Sequence, residues 1–365
     1  MSVDIQKLLS FALKRDASDL HLSAGMPPMI RLHGDMVKID VPPFTAEGLR
    51  AGLLQIMSAD QKEEFQKNLE IDFAIQLKEL GRFRVNVFTQ NRGPGAVLRT
   101  IPTAIPTLDE MKMPKILAEM AMKERGMILV TGPTGSGKST TLAAMVNYIN
   151  EHKRAHIITV EDPIEFVHTS KTSLVNQREV GRHTHSFSNA LRSALREDPD
   201  VILVGELRDL ETTQLAISAA ETGHVVFGTL HTNSASKTID RIIDVFPAGQ
   251  QAQIRSMFSE SIMGIISQAL LRTKDGKGRA CAQEILLATQ AIRNLIREDK
   301  TAQMMSILQT GSQQGMQSMD QCLRELVSKG IVAPEVAAMK ATNSGAFLQQ
   351  SKPGGSATAP PRKAA

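Results

Sequence analysis

The sequence predicts an α/β protein, a parallel sheet covered by helices, preceded by a smaller N-terminal α+β domain. Three observations carry this. Short runs rich in Val, Ile and Leu recur at residues 127–131, 157–160, 201–204 and 225–230 with helical segments between them, the pattern of strands buried on both faces. The segment from Gly132 to Ser139 fits GxxxxGK[ST] and stands between such a run and a helical one. At 365 residues the chain exceeds what one hydrophobic core usually fills, so two domains are expected.

Taken in order, residues 3–15 place Ile5, Leu8, Leu9, Ala12 and Leu13 on one helical face. Residues 19–22 and 29–39 then read as short strands, the latter folded into a hairpin by His33-Gly34-Asp35. A second hairpin is clearer: Phe83, Val85 and Val87 alternate with Arg82, Arg84 and Asn86, and the turn residues 91–95 lead into a strand at 96–101. One face is apolar and the other carries arginines. Pro102 and Pro106 bracket a stretch unsuited to helix or strand, which places an interdomain linker at 102–112 between a domain of residues 1–101 and one of residues 113–350. The tail 351–365 has too much Pro, Gly and Ser to pack and reads as disordered.

Composition narrows the function classes. Cys281 and Cys322 are the only cysteines, far apart in sequence and without a CxxC pair, which argues against a zinc site and a disulfide framework and for a reducing compartment. The start MSVDIQKLL lacks the features of a signal peptide, and no run of about eighteen apolar residues occurs. A cytoplasmic protein is expected. Lys and Arg exceed Asp and Glu by 42 to 38, a mild excess that fits scattered solvated side chains.

The glycine-rich segment carries the chemistry. Gly132, Pro133, Thr134, Gly135, Ser136, Gly137, Lys138 and Ser139, with Thr140 after them, form a candidate cradle for ATP. Glycine lets backbone amides converge, Lys138 neutralises outer phosphates, and the Ser139 hydroxyl can join a Mg2+ shell. Leu142, Met145, Val146 and Ile149 give the following helix its core face. A carboxylate must orient the attacking water, and parallel sheets present such groups at strand carboxyl ends. Glu206, after the run 201–204, is the preferred water activator, with an ion pair to Arg208 or Arg196 as its structural alternative. Gly205 stands where a strand-ending Asp is usual, which leaves Mg2+ ligation to Ser139, phosphates and water, with Glu161 and Asp162 as further candidates. Glu161, Asp162 and Glu165 fit turn or cap roles equally well. His224 and His231 flank the run 225–230: His231 as a phosphate sensor and His224 as a contact for the acidic segments, or both as capping or core groups.

Together GPTGSGKS, ITVEDPIE, DPDVILVGELRD and AETGHVVFGTLHTN resemble, in order and spacing, the Walker A, Asp-box, Walker B and His-box motifs of the secretion and type IV pilus ATPases. A fifth segment, Ala291-Ile292-Arg293-Asn294-Leu295-Ile296-Arg297-Glu298, is similar to the AIRNLIRE signature of the retraction ATPases of that family, and ASDLHLSAG with GRFRVNVFTQNRG resembles their N-terminal domain. The resemblance implies a PAS-like N-terminal domain joined to a RecA-like P-loop NTPase domain, assembled as a homohexamer beneath the inner membrane. It further implies that Glu206 is the catalytic glutamate, Glu165 the Asp-box acid, and Arg82, Arg84 and Arg99 arginines facing the nucleotide. The implied partners are an inner-membrane platform protein and an accessory retraction ATPase, and the implied work is pilus retraction. Read from its residues alone, the fifth segment is an amphipathic helix with Ile292, Leu295 and Ile296 on one face and Arg293, Asn294 and Arg297 on the other. The alternatives are a hexameric nucleic-acid translocase, disfavoured by the absence of Trp and a single Tyr, and a nucleotide-gated accessory paralogue of the pilus motor. No nucleic-acid partner is expected.

Overall fold

The computed structural model describes residues 3–32, 34–78, 80–101 and 104–348. The chain divides into two compact units, one running to Ile105 and including Pro163–Val167, the other running from Pro106 to Asp162 and resuming at His168.

The first unit contains α1 (Ile5–Leu13), β1 (Asp19–Ser23), β2 (Met29–Leu32), β3 (Asp35–Lys38), α2 (Ala46–Gln55), α3 (Ala59–Asn68), β4 (Glu70–Leu77), β5 (Gly81–Gln90) and β6 (Gly93–Ile101). Its strands form an antiparallel sheet in the order β3-β2-β1-β6-β5-β4. Register explains the core. Phe73, Val85, Leu98, Leu20 and Ile30 are successive cross-strand partners and all are buried, so one row of apolar side chains spans five strands. Ile5, Leu9 and Ala12 close this face from α1, whose first turn is capped by the Asp4 carboxylate accepting from the Lys7 amide at 3.0 Å. The opposite row runs Arg84, Arg99, Asp19 and Arg31.

The expected hairpin at residues 29–39 forms, though His33 lies outside the described residues. In the second hairpin residues 93–95 are strand, not turn: Gln90 pairs directly with Gly93, leaving only Asn91 and Arg92 to reverse the chain. Gly93 takes φ +123°, and at Gly95 the Phe88 ring sits where a side chain would be, so both glycines belong to the strand for reasons of space.

The second unit contains α4 (Ile116–Ala121), β7 (Gly126–Thr131), α5 (Lys138–His152), β8 (His156–Glu161), β9 (Leu174–Glu179), α6 (Phe187–Ala194), β10 (Val201–Val204), α7 (Leu210–Glu221), β11 (Val225–Leu230), α8 (Ala235–Asp244), α9 (Ala248–Ser261), β12 (Ile262–Arg272), β13 (Arg279–Leu287), α10 (Gln290–Arg297), α11 (Met304–Thr310) and α12 (Met319–Ser328), with shorter turns and helices beyond. The sheet order is β13-β12-β7-β11-β10-β8-β9, parallel throughout except for the β12–β13 pair. All four apolar runs read from the sequence are strands here. Leu129, Ile202, Val204, Val226 and Ile265 pack against α7, α8 and α9 on one face. Ile128, Val130, Ile157, Leu203, Phe227 and Ile266 meet Leu142, Met145, Val146 and Ile149 of α5 on the other. Pro102 and the tail 351–365 lie outside the described residues, within which no helix is long and apolar enough to cross a membrane.

A Cβ at Gly93 would stand 2.8 Å from the Ala46 Cβ in addition to the positive φ. Gly93→Ala is therefore expected to destabilise the chain by about 1–3 kcal/mol, read as a lowered denaturant midpoint. An unchanged midpoint would contradict the close approach of α2 to this turn.

Candidate functional site

Parallel register brings four loops to one edge of the second sheet. Thr131 pairs with Leu230, and Val204 with both Gly228 and Val160. Gly132, His231, Gly205 and Glu161 accordingly leave the carboxyl ends of β7, β11, β10 and β8, side by side in the place where open α/β sheets bind ligands.

The loop from β7 into α5 has the backbone of a phosphate cradle. Gly132, Gly135 and Gly137 take φ of +142°, +77° and +88°, a region costly for any side chain. A Cβ on Gly132 would meet the Ser136 Oγ at 2.6 Å, and that buried hydroxyl has no hydrogen-bond partner. Among the described residues no side chain caps the α5 N-terminus, which begins after Gly137, an arrangement that suits an anion. Lys138 is buried and its Nζ donates to the Gly132 carbonyl at 2.8 Å, and to that of Pro133 at 3.3 Å. Ser139 and Thr140 are half-buried on the same first turn, and Pro133 and Thr134 are exposed at the loop tip.

Glu206 sits two strands away. Its backbone is pinned on both sides: the Gly205 amide donates to Val160 O at 2.8 Å and the Leu207 amide to Thr229 O at 3.0 Å. A Cβ at Gly205 would lie 3.1 Å from Val160 O and 3.3 Å from the Glu161 Cα, which is why glycine rather than an acid ends this strand. The Glu206 carboxylate, 19% exposed, accepts from Arg208 at 2.7 Å and lies 3.3 Å from His231 Nε2. Burial pushes its pKa up, but the Arg208 bond and charge, followed by His231, outweigh burial and hold the carboxyl below its ordinary 4.5. The ion pair with Arg208 is thus present, on an arginine that is 67% exposed. An acid beside a histidine, two strands from an anion cradle, can hold and orient a water.

The other candidates separate. Glu161 is tied at its own strand end, accepting from Thr159 Oγ1 at 2.6 Å and Gln177 Nε2 at 3.1 Å, while Asp162 is exposed. Among the described residues no three His, Cys, Asp or Glu side chains are grouped to hold a metal. His224 precedes Val225, whose amide donates to the Asp200 carbonyl at 3.0 Å. The histidine lies at the amino end of β11, about 20 Å along the strand from His231 by the rise per residue, and its Nδ1 and amide both face the Ala219 carbonyl, at 2.9 and 3.2 Å. Its role here is to close the end of α7. Glu165 falls in the segment Pro163–Val167 of the first unit. In that unit Arg84 pairs with Asp72 at 2.6 Å and Arg99 with the buried Asp19 at 2.8 Å, and Arg82 shares their face by alternation.

Residues 291–298 form α10 and its C-cap Glu298, the helix opening on a Thr289 cap. Ile292 and Ile296 are buried, with Leu295 packed beside them. The opposite face is not simply solvated. Arg293 donates to the carbonyls of Ser259 and, at 2.7 Å, Glu260, while Arg297 bonds the Glu260 carboxylate at 2.5 Å and the Asn294 side chain. Arg293 therefore caps carbonyls in the last turn of α9, and Arg297 adds a second cation there through side-chain bonds, where the helix dipole favours positive charge.

The family model for type II/IV secretion system proteins matches residues 1–340. The chain belongs to this family. Among family members, the type IV pilus retractation ATPase PilT of Pseudomonas aeruginosa is 58% identical over 339 residues, covering 93% of this chain and 98% of that protein. The twitching motility protein of Neisseria gonorrhoeae is 60% identical over 317 residues, covering 87% and 85%. A crystal structure of the pilus retraction motor PilT with bound ADP superposes with a TM-score of 0.88 at 46% identity, covering 95% of this chain and all of that one. Like that structure, this member of the secretion-system family is a mixed α/β protein with an N-terminal antiparallel sheet domain and a parallel-sheet ATPase domain.

Two polar residues at the site of this family member escaped the sequence reading. Gln268 of β12 is buried and bonds both Ser136 O and Thr141 Oγ1. Glu284 of β13, 4% exposed, accepts the Ala235 amide at 2.8 Å, and the Met319 amide also donates to it, so the first residues of α8 and α12 share one carboxylate. Burial pushes the Glu284 pKa up. The signal for both was a polar pair, Ser267-Gln268 and Gln283-Glu284, inside a largely apolar strand.

Because the folded-state pKa of Glu206 is depressed, its ionised form adds stability above the unfolded value near 4.5 and loses it as pH falls through the folded pKa. Wild type should exceed Glu206→Gln in denaturant midpoint at neutral pH, the gap closing in acid, and Arg208→Ala should narrow it. A gap independent of pH would contradict this electrostatic assignment.

Proposed function

We propose that this chain is an ATP-hydrolysing motor of type IV pilus retraction, acting as a homohexamer in the cytoplasm against an inner-membrane platform protein. The observation that carries the reading is a glycine-rich loop opening α5 and the Glu206 carboxylate on one sheet edge, in a chain that matches pilus retraction ATPases over nearly its whole length. In this reading residues 132–140 cradle the phosphates, the amides of Gly135, Gly137, Ser139 and Thr140 donating to them, and Lys138 leaves the Gly132 carbonyl for them. Ser139 and phosphate oxygens would hold Mg2+, with Glu161 and Asp162 as further candidate ligands, and the bound ion would supply positive charge to the outer phosphates.

Glu206 orients and deprotonates the attacking water when Arg208 swings out, and His231 keeps the carboxylate placed. Arg82, Arg84 and Arg99, with Glu165, complete the proposed set of residues that respond to nucleotide, arginine being suited to phosphate. Residues 291–298 serve force transmission, and an accessory retraction ATPase shares the work.

Lys138→Ala should abolish ATP turnover in a folded protein, and Glu206→Gln should keep ATP binding while losing roughly a hundredfold in turnover. In a deletion strain complemented with Glu206→Gln, abundant pili without twitching are expected, whereas loss of pili would point to assembly instead. Arg293→Ala and Arg297→Ala should weaken twitching while leaving ADP affinity within about twofold, since both act on α9 rather than the cradle. Equal loss of both properties would reduce α10 to a folding element.

A further inference from the structure

The side of the phosphate loop that faces the protein is fastened by a residue with no assigned role. Gln268 lies on β12 on the same sheet face as Ile266, against α5, and is 1% exposed. An amide buried there must find partners for its own donors and acceptors. It finds them on the loop: Nε2 donates to Ser136 O at 2.8 Å, and Oε1 accepts from Thr141 Oγ1 at 3.0 Å. Its main-chain oxygen stands 2.3 Å from where a Gly132 Cβ would be, and its Nε2 stands 3.3 Å from the corresponding point at Gly137. The loop is thus bonded at Ser136 and in the first turn of the helix, and Gln268 leaves no space for a side chain at the first glycine.

The bond to Ser136 O has a directional consequence. In a trans peptide the carbonyl of one residue and the amide of the next point in opposite directions. With the Ser136 carbonyl turned to β12, the Gly137 amide is turned away from it, toward the open side of the loop. We propose that Gln268 is a positioning residue for nucleotide phosphate: it aims the Gly137 amide and holds the cradle in its binding form before ligand arrives. The proposal rests on the reading of residues 132–139 as the phosphate site.

The test is titration of purified full-length variants with a fluorescent ADP analogue, alongside ATPase kinetics and thermal melting without nucleotide. Gln268→Met keeps length and volume but neither hydrogen bond; it should weaken analogue affinity and raise KM for ATP about tenfold, with kcat changed by less than about threefold. Thr141→Val, which removes one bond only, should shift affinity in the same direction by less, and the double variant should fall short of the sum. A folded Gln268→Met with wild-type affinity overturns the proposal, whatever its melting temperature. Should that variant fail to fold, wild-type affinity in Thr141→Val overturns it instead. Undiminished affinity in Lys138→Ala would sink the cradle itself, a failure separate from that of Gln268.

Discussion

The parallel ladder of β7, β11, β10 and β8 is the constraint from which the rest follows. These strands are buried on both faces, so every amide and carbonyl along them must be satisfied by a neighbouring strand. Unbroken pairing of four runs of four to six residues leaves their ends level. The glycine loop, His231, Glu206 and Glu161 meet because the strands that carry them cannot slip. A shift of β10 by one residue would turn Ile202 and Val204 toward α5 and Leu203 toward α7, exchanging the contents of two cores.

What was legible in the sequence follows from the same physics. Runs such as 201–204 announce a strand because β-branched residues stand uninterrupted between turn signals, and the acid after Gly205 announces the sheet edge. β12 was not legible: eleven residues from Ile262 to Arg272, nearly all buried, show no alternation and equally suit a helix. Its Gln268 contact lies 132 residues from Ser136 in the chain, beyond any local pattern. The hairpin turn was misjudged for a different reason. Glycine at 93 and 95 signals turn chemistry, but here Ala46 and the Phe88 ring leave no room for side chains on a strand. For His224 and His231 the motif gives spacing along the chain, while the direction of β11 decides that His231 stands at the edge with Glu206 and His224 at the other end, against the Ala219 carbonyl.

Charged side chains in this fold act on backbone as much as on one another. Arg293 finishes α9, Lys138 rests on the Gly132 carbonyl, and Asp209 caps α7 by accepting the Thr212 amide at 2.8 Å. Patterning alone would assign the arginine face of α10 to water, since amphipathicity records polarity and not the carbonyls that a neighbouring helix leaves unpaired.

Glu284 reaches further than its own strand. The carboxylate is shared between α8, which follows the His231 loop, and α12, which begins at Met319. A chain cut before Met319 would keep every phosphate-handling residue yet leave this buried anion with half its donors, at a cost of about 1–3 kcal/mol. The C-terminal helices are in this sense part of the engine block, and a minimal catalytic fragment cannot be drawn by motif boundaries alone.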